Sequence, residues 1–200
     1  MVTARLLKVT IALAAVLSLA ACGSSGGGGN SNSVSPIPST AATANPYGSP
    51  PPVDPPGPNA VVLKVVGGTA GDLSYTMAQL EAVGQLQTVT IYEPFRKTNQ
   101  TFKAVALKDI LTAAGISDTQ FIDTLALNNY KYDDLAGKFT GSEALIATEL
   151  DGKQIPIDQG GPIRIIFKDG TPQSTNLDAW NWSLMQISVI ASPAPAPSAS

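Results

Sequence analysis

Apolar residues recur along the chain between residues 60 and 191 in short runs, several of which alternate with polar residues. Short alternating runs rich in Val, Ile and aromatic residues are typical of strands on a partly buried sheet. The clearest of these runs are "AVVLKVVG" (60–67), "LQTVTIY" (86–92), "FIDTLALNNY" (121–130), "IRIIF" (163–167) and "WNWSLMQISVIA" (180–191).

Two segments instead have the spacing of short helices. "YTMAQLEAVG" (75–84) begins with a capping box of Thr76 and Gln79, and Gly84 is placed to end the helix. The segment "LKDILTAAG" (107–115) places four apolar residues on one face before a terminal glycine. Those four residues are Leu107, Ile110, Leu111 and Ala114, and the glycine is Gly115.

Turn residues separate these elements. Asp151 and Gly152 form a two-residue hairpin signal, and "GGP" at 160–162 precedes the apolar run "IRIIF". The "GGP" segment is either a tight turn or a loop whose amides bind an anion, although Pro162 lacks an amide N–H. Many short strands with few helices predict an α+β domain of mixed β-sheets with two or three short helices.

The first residues have the pattern of an export signal. Arg5 and Lys8 precede an uncharged stretch from Val9 to Ala21, which is too short to span a bilayer. The sequence "LAAC" at its end resembles the lipobox of bacterial lipoproteins. This resemblance implies removal of residues 1–21, a lipid on Cys22, and a membrane-anchored protein of the bacterial cell envelope outside the cytoplasm. The alternative is an ordinary signal peptide that leaves Cys22 as a free thiol.

Low-complexity segments flank the predicted domain. Residues 22–59 are Gly/Ser-rich and then Pro-rich, and Asp54 is their only charge. Such a segment buries too little apolar surface to fold, and random-coil scaling predicts a tether of about 30 Å or more. Residues 192–200 form a similar Pro/Ala/Ser tail. The folded domain is therefore predicted over residues 60–191.

Charge and composition exclude several function classes. The chain has 12 basic residues, 15 acidic residues, one cysteine and no histidine. Loss of Arg5 and Lys8 with the signal leaves 10 basic residues and a formal net charge of −5, which disfavours nucleic acid as a partner. Without histidine there is no Ser-His-Asp or Cys-His catalytic group, and Cys/His zinc sites are excluded.

The order of motifs resembles the molybdopterin-binding domain of the sulfite oxidase family of oxidoreductases. The resemblance covers about residues 61–190 and implies that family's fold, with a molybdopterin cofactor and oxidoreductase activity as the family's chemistry. It rests on "AVALKDILTAAG" (104–115), "FIDTLALNNYKYDD" (121–134), "LIATELDGKQIPIDQGGPIRIIF" (145–167) and Trp180 before the last strand.

In the family one protein cysteine binds the molybdenum, and a soft thiolate suits such a metal. Counting back from Phe102, the resemblance places this cysteine between Tyr92 and Pro94, where the chain reads "IYEPFRK" and has no thiol. We therefore expect no cofactor and no metal site. The alternative is molybdopterin with atypical ligation, for example through an oxygen of Tyr92 or Glu93.

The resemblance also indicates a candidate anion or ligand pocket. Arg164 matches a family arginine associated with an anion-binding pocket, and Arg96 and Lys97 belong to a locally basic stretch that either steers an anion or is solvated surface. Tyr92 and Trp180 complete the candidate set.

Arg164 and Trp180, two of the candidate pocket residues, can also be explained as purely structural residues. Arg164 is either part of that pocket or an edge-strand arginine paired with a carboxylate such as Asp158 or Asp169. In a strand, Trp180 and Trp182 would face the same side, as packing residues or with one ring stacking on a ligand.

These observations lead to one hypothesis and two alternatives. The hypothesis is a lipid-anchored envelope protein whose domain is a non-catalytic module that binds an envelope protein or a small anionic ligand. The first alternative is a molybdopterin-dependent oxidoreductase, or a subunit of one. The second is a purely structural envelope protein.

Overall fold

The computed structural model describes residues 55–192. The predicted signal peptide (1–21), Cys22, most of the tether and residues 193–200 lie outside the described residues. Between Val61 and Ile190 the described part contains three short α-helices and ten strands, so the α+β prediction is confirmed. None of the helices in residues 55–192 has the length and apolar content required to cross a bilayer.

Strands account for most of the regular structure, and the helices lie at strand ends. The helices are α1 (Met77–Glu81), α2 (Leu107–Ala113) and α3 (Ala136–Thr140). The strands are β1 (Val61–Val66), β2 (Leu73–Thr76), β3 (Gln87–Glu93), β4 (Thr98–Ala106), β5 (Phe121–Ala126), β6 (Lys131–Leu135), β7 (Leu145–Leu150), β8 (Lys153–Gln154), β9 (Arg164–Ile166) and β10 (Leu184–Ile190).

The strands form two sheets. The first has the order β2-β1-β10-β5-β6 and is mixed, because β1 runs parallel to β10 while the other pairs are antiparallel. The second has the order β3-β4-β7-β8, with β9 also paired to β7, and is antiparallel throughout. One hydrophobic cluster includes residues of both sheets and of α2, such as Leu63, Phe102 and Ile110.

Local signals in the sequence identify the start of α1 correctly but not its end. Thr76 Oγ1 accepts the Gln79 N–H at 3.3 Å and Gln79 Oε1 accepts the Thr76 N–H at 2.9 Å, so the predicted capping box is present. The prediction that Gly84 ends this helix is wrong, because α1 ends at Glu81 with Ala82 as its cap. Gly84 has another role: a Cβ there would lie 2.0 Å from a carboxylate oxygen of Asp109.

The second helix follows its prediction closely. All four residues of its predicted apolar face are buried, and Gly115 lies just beyond the cap residue Ala114 with φ of +69°. A left-handed residue at this position is a common helix ending that glycine adopts without strain. The hairpin prediction is also confirmed, since Asp151 and Gly152 have φ of 50° and 73° between β7 and β8.

The stretch before the last strand differs from its prediction. Residues 180–183 are not part of a strand, and β10 begins only at Leu184. The cause is the buried Asn181, whose Nδ2 donates to the Thr124 carbonyl oxygen at 2.8 Å, together with Ser183, whose φ of 54° turns the chain. The two tryptophans in this stretch therefore do not share a strand face.

The capping box gives a test of the local structure. We expect Thr76→Ala to lower the free energy of unfolding by about 1 kcal/mol, because one N–H at the start of α1 loses its acceptor. Thr76→Ser keeps the hydroxyl and should stay close to the unmodified chain. Urea unfolding measures both, and equal losses for Ala and Ser would contradict the cap.

Candidate functional site

A buried ion pair lies at the position where the resemblance indicates the metal-binding cysteine and the anion pocket. Arg164 Nη2 of β9 and Glu93 Oε1 of β3 are 2.8 Å apart. The exposed fractions of the two side chains are 1% and 0%, so neither charge is exposed to bulk water. A pair buried to this degree is stable only when both groups have further partners.

The position of Glu93 follows from the alternation of β3. Ile91 and Glu93 lie two residues apart on the buried face, and Tyr92 between them is exposed. Glu93 Oε2 accepts the backbone N–H of Arg96, and the Glu93 carbonyl oxygen accepts the N–H of Lys97 at 2.8 Å. Both carboxylate oxygens are therefore engaged within the turn and the ion pair.

Arg164 is held by aromatic rings as well as by charge. Its ζ carbon lies 4.1 Å from the ring centroid of Trp182 and 5.7 Å from that of Phe102. Nη1 donates to the Gln159 carbonyl oxygen at 3.1 Å. Burial lowers the pKa of Arg164 to about 10, against the opposing effect of Glu93, so the guanidinium remains charged at neutral pH.

The loop around Gly160 keeps Trp182 against this guanidinium. The Ser183 N–H donates to the Gly160 carbonyl oxygen at 2.8 Å, and the Phe95 ring meets Trp182 edge-on at 5.3 Å. Gly160 has φ of +86°, and a Cβ at this residue would lie 2.8 Å from the Trp182 ring. A glycine is therefore required where the loop passes the tryptophan, which supports the tight-turn interpretation of "GGP".

The structure brings together only part of the predicted pocket. The Arg164 guanidinium and the Arg96 backbone N–H both donate to Glu93, while Arg96 Nη2 donates to the Asp158 carbonyl oxygen at 3.3 Å. The prediction of a carboxylate partner on an edge strand is confirmed. The proposed partners Asp158 and Asp169 are wrong, because Glu93 occupies that place.

The remaining candidates have other environments. Tyr92 is 47% exposed, and its backbone N–H donates to the Asp169 carboxylate at 3.0 Å. Lys97 is exposed in the turn after β3. Trp180 is 1% exposed, and its ring lies 5.7 Å from that of Phe167 in a separate aromatic cluster.

Sequence reasoning missed the pairing of Glu93 with Arg164 and the stacking of Trp182. The available signal for Glu93 was the period of β3, which puts it on the same face as the buried Ile91. That signal identifies a buried carboxylate but not its partner, which lies 71 residues further along the chain. For Trp182 the sequence held no signal that separated it from Trp180.

The side chains at this position do not match a molybdenum site with a protein thiolate. The only cysteine of the chain is Cys22, outside the described residues, and Glu93 has both oxygens engaged. Residues 55–192 contain no group of three or more His, Cys, Asp or Glu side chains placed to bind a metal. Four cavities of about 180–270 Å³ lie elsewhere, and none of these four is lined by Arg164, Arg96 or Tyr92.

A second guanidinium, that of Arg96, lies near the pair of Arg164 and Glu93. Only the Arg164 guanidinium pairs with the Glu93 carboxylate, since Arg96 contacts Glu93 through its backbone N–H and its guanidinium donates to the Asp158 carbonyl oxygen. The Arg96 charge is nevertheless near enough to contribute to the lowered pKa of Arg164. Three buried N–H donors, at Arg96 Nε, Arg164 Nε and Trp182 Nε1, have no acceptor among residues 55–192. This position therefore has more hydrogen-bond donors than the described side chains satisfy.

The ion pair predicts a large effect of removing one charge. Glu93→Gln leaves the Arg164 charge buried without a counter-charge, and we expect the free energy of unfolding to fall by about 3–5 kcal/mol. Replacing both residues, Glu93→Leu with Arg164→Met, removes the uncompensated charge and should cost far less. Urea unfolding of the unmodified chain, Glu93→Leu, Arg164→Met and the double variant forms a double-mutant cycle, and Glu93→Gln is measured beside these four proteins.

An exposed ion pair serves as the control. Glu143 pairs with Lys168 at 2.7 Å, and their side chains are 60% and 40% exposed. We expect Glu143→Gln to change the free energy of unfolding by less than about 1 kcal/mol. If Glu93→Gln cost no more than Glu143→Gln, the buried pair would not have the assigned role.

Comparison with known proteins agrees with the motif order. The chain shares its fold with the sulfane dehydrogenase SoxCD of Paracoccus pantotrophus, with a TM-score of 0.50 and 14% sequence identity. The match covers 64% of this chain and 37% of the SoxCD chain, so this chain spans well under half of that protein. Curated protein sequences gave no significant match. A family model, the oxidoreductase molybdopterin binding domain, matches residues 48–171. Because this match covers more than half of the sequence, the chain belongs to the oxidoreductase molybdopterin-binding domain family.

Proposed function

We propose that this protein is a lipid-anchored envelope protein whose domain uses the molybdopterin-oxidoreductase fold as a non-catalytic binding module. The observation that carries this proposal is the buried pair of Glu93 and Arg164. The resemblance to the sulfite oxidase family places the metal-binding cysteine between Tyr92 and Pro94, and it matches Arg164 to an arginine of an anion pocket. In this chain the residues at those two places bind each other.

The energetics of the pair support a binding role over metal chemistry. Separating two buried charges to admit a cofactor would expose each to an apolar environment without its partner, which is costly. Glu93 is a hard oxygen donor that is already neutralised by Arg164, whereas the family's metal site uses a soft thiolate. The chain thus keeps the family's fold, but it has a carboxylate where the family has the thiolate that binds the metal.

The competing function is a molybdopterin-dependent oxidoreductase, or a subunit of one. The family match over residues 48–171 favours it, since the family is defined by binding this cofactor. A partner subunit would then have to supply the thiolate ligand that residues 55–192 lack, or the ligation would be atypical. The two proposals differ in whether the purified chain contains molybdenum and pterin.

A small anion or an envelope protein is the proposed partner of the module. The unsatisfied N–H donors and the Arg96 guanidinium near the buried pair support an anionic ligand there. The acidic chain as a whole disfavours nucleic acid. A lipid on Cys22 and the predicted tether would keep the domain near the membrane and raise its effective concentration for a neighbour.

Metal analysis tests the non-catalytic role. We expect the full chain, purified from cells that synthesise molybdopterin, to contain far less than one molybdenum atom per molecule, because the described residues offer no thiolate. Elemental mass spectrometry measures the metal, and fluorescence of the oxidised pterin measures the cofactor. A molybdopterin enzyme produced in the same cells is the positive control. Near-stoichiometric molybdenum with extractable pterin would overturn the proposal.

The anchor has a separate test. We expect mass spectrometry of the exported wild-type protein to show a chain that begins at an acylated Cys22 and partitions into the membrane fraction. Cys22→Ala should abolish both the acyl mass and the membrane fraction, because no thiol is left to carry the lipid. Ser24→Ala, a neighbouring substitution, should keep both. An exported wild-type chain with a free thiol would contradict the anchor.

A further inference from the structure

Of the sheet edges in the described part of the chain, β3 has the least protection, since a charged side chain covers it only at Tyr92. Exposed edges pair with other strands unless they are short, charged or covered. In the first sheet β2 has four residues, and β6 contains Lys131, Asp133 and Asp134. In the second sheet β8 has two residues and β9 has three buried residues. By contrast β3 has seven residues and no charge before the buried Glu93.

The backbone of β3 presents free hydrogen-bonding groups on its outer side. The Tyr92 N–H donates to Asp169, so the backbone N–H of Tyr92 points away from β4. The pairing of β3 with β4 is regular from Gln87 to Glu93. Because backbone groups alternate in direction along a strand, the N–H and C=O groups of Thr88 and Thr90 also point away from β4. Among residues 55–192 no group bonds to the outward N–H and C=O of these two threonines.

The exposed side chains along this edge form a palindrome. Leu86, Thr88, Thr90 and Tyr92 recur every second residue, and read in either direction the pattern is apolar, Thr, Thr, apolar. Leu86 and Tyr92 are 37% and 47% exposed, and they are two of the four exposed large hydrophobic residues in the described part. An antiparallel pair of identical strands brings such a pattern into register with itself.

We propose that a second copy of this chain pairs with β3 in an antiparallel arrangement around a two-fold axis beside Val89. Thr88 of one copy then lies opposite Thr90 of the other, and Leu86 lies opposite Tyr92. The outward groups of both threonines become paired, and the exposed apolar side chains cover each other.

Neutral side chains along this edge allow two identical chains to approach. No charged residue lies between Leu86 and Tyr92 in the sequence, and the Asp169 carboxylate that accepts the Tyr92 N–H lies at one end of the edge. A two-fold axis beside Val89 places the two copies of Asp169 at opposite ends of the interface. An unrelated extended peptide would satisfy the backbone as well, but the palindrome selects an identical strand. This interface deepens the proposed function, because it names a second copy of the chain as a partner of the binding module. Only the biological role of the dimer rests on the proposed function.

Substitution of Thr90 tests the pairing. Proline at position 90 removes an N–H that the monomer does not use, which edge strands tolerate. The dimer loses one hydrogen bond in each copy, and we expect its dissociation constant to rise by about tenfold or more. Thr90→Lys is a second variant that places two positive charges at the interface and should also weaken it. Gln154→Lys, on the edge strand β8 of the same sheet, adds the same charge and should leave the dimer unchanged.

Sedimentation velocity of the full-length chain over a range of concentrations measures these dissociation constants. The same detergent is used throughout, and a reducing agent prevents disulfides through Cys22. Urea unfolding of each variant shows that the monomer is folded. If Thr90→Pro does not fold, Thr90→Lys and its control decide the result.

Amide hydrogen exchange provides a residue-specific readout. We expect the Thr88 and Thr90 amides to exchange rapidly in dilute protein and to become protected as the concentration rises. A wild-type chain that stays monomeric at all concentrations would overturn the proposal. Protection of both amides in the monomer would also overturn it, since another segment of the same chain would then cover β3. Neither result depends on molybdenum content or lipid, so this inference and the proposed function fail separately.

Discussion

The ion pair between Glu93 and Arg164 constrains the second sheet across its whole width. Glu93 ends β3 at one edge and Arg164 begins β9 at the other, with β4 and β7 between them. The guanidinium reaches across the buried face of the sheet and lies over Phe102 of β4. The pair therefore links the two edges through the core, and the turn after β3, the loop at Gly160 and the Trp182 ring are all arranged around it.

The parts of this fold that depend on neighbouring residues were predictable from the sequence. The capping box of Thr76, the apolar face of α2 and the hairpin at Asp151 each depend on a few residues close in the chain. Gly84 shows the limit of that reasoning, because its role is to admit Asp109, which lies 25 positions away. A glycine needed for close approach and a glycine that ends a helix are identical in sequence.

The candidate site depended on contacts that local patterns do not encode. The prediction that Arg164 pairs with a carboxylate was correct in kind, but the nearest carboxylates in sequence were not the partner. The selection of Trp180 over Trp182 rested on the family resemblance, and the expectation that both rings face one side of a strand fails because Asn181 and Ser183 interrupt that strand. This chain has the fold of its family but not the cysteine that binds the family's metal. Its fold and its chemistry must therefore be argued from separate observations.

The parallel pairing of β1 with β10 has a mechanical consequence. Lys64, Val65 and Val66 lie beside Gln186, Ile187 and Ser188, and the chain enters β1 and leaves β10 at opposite ends of this pair. Tension applied before Val61 and after Ile190 would slide the two strands along each other and load their hydrogen bonds together rather than one by one. This geometry resists force better than a pair that is peeled apart from one end.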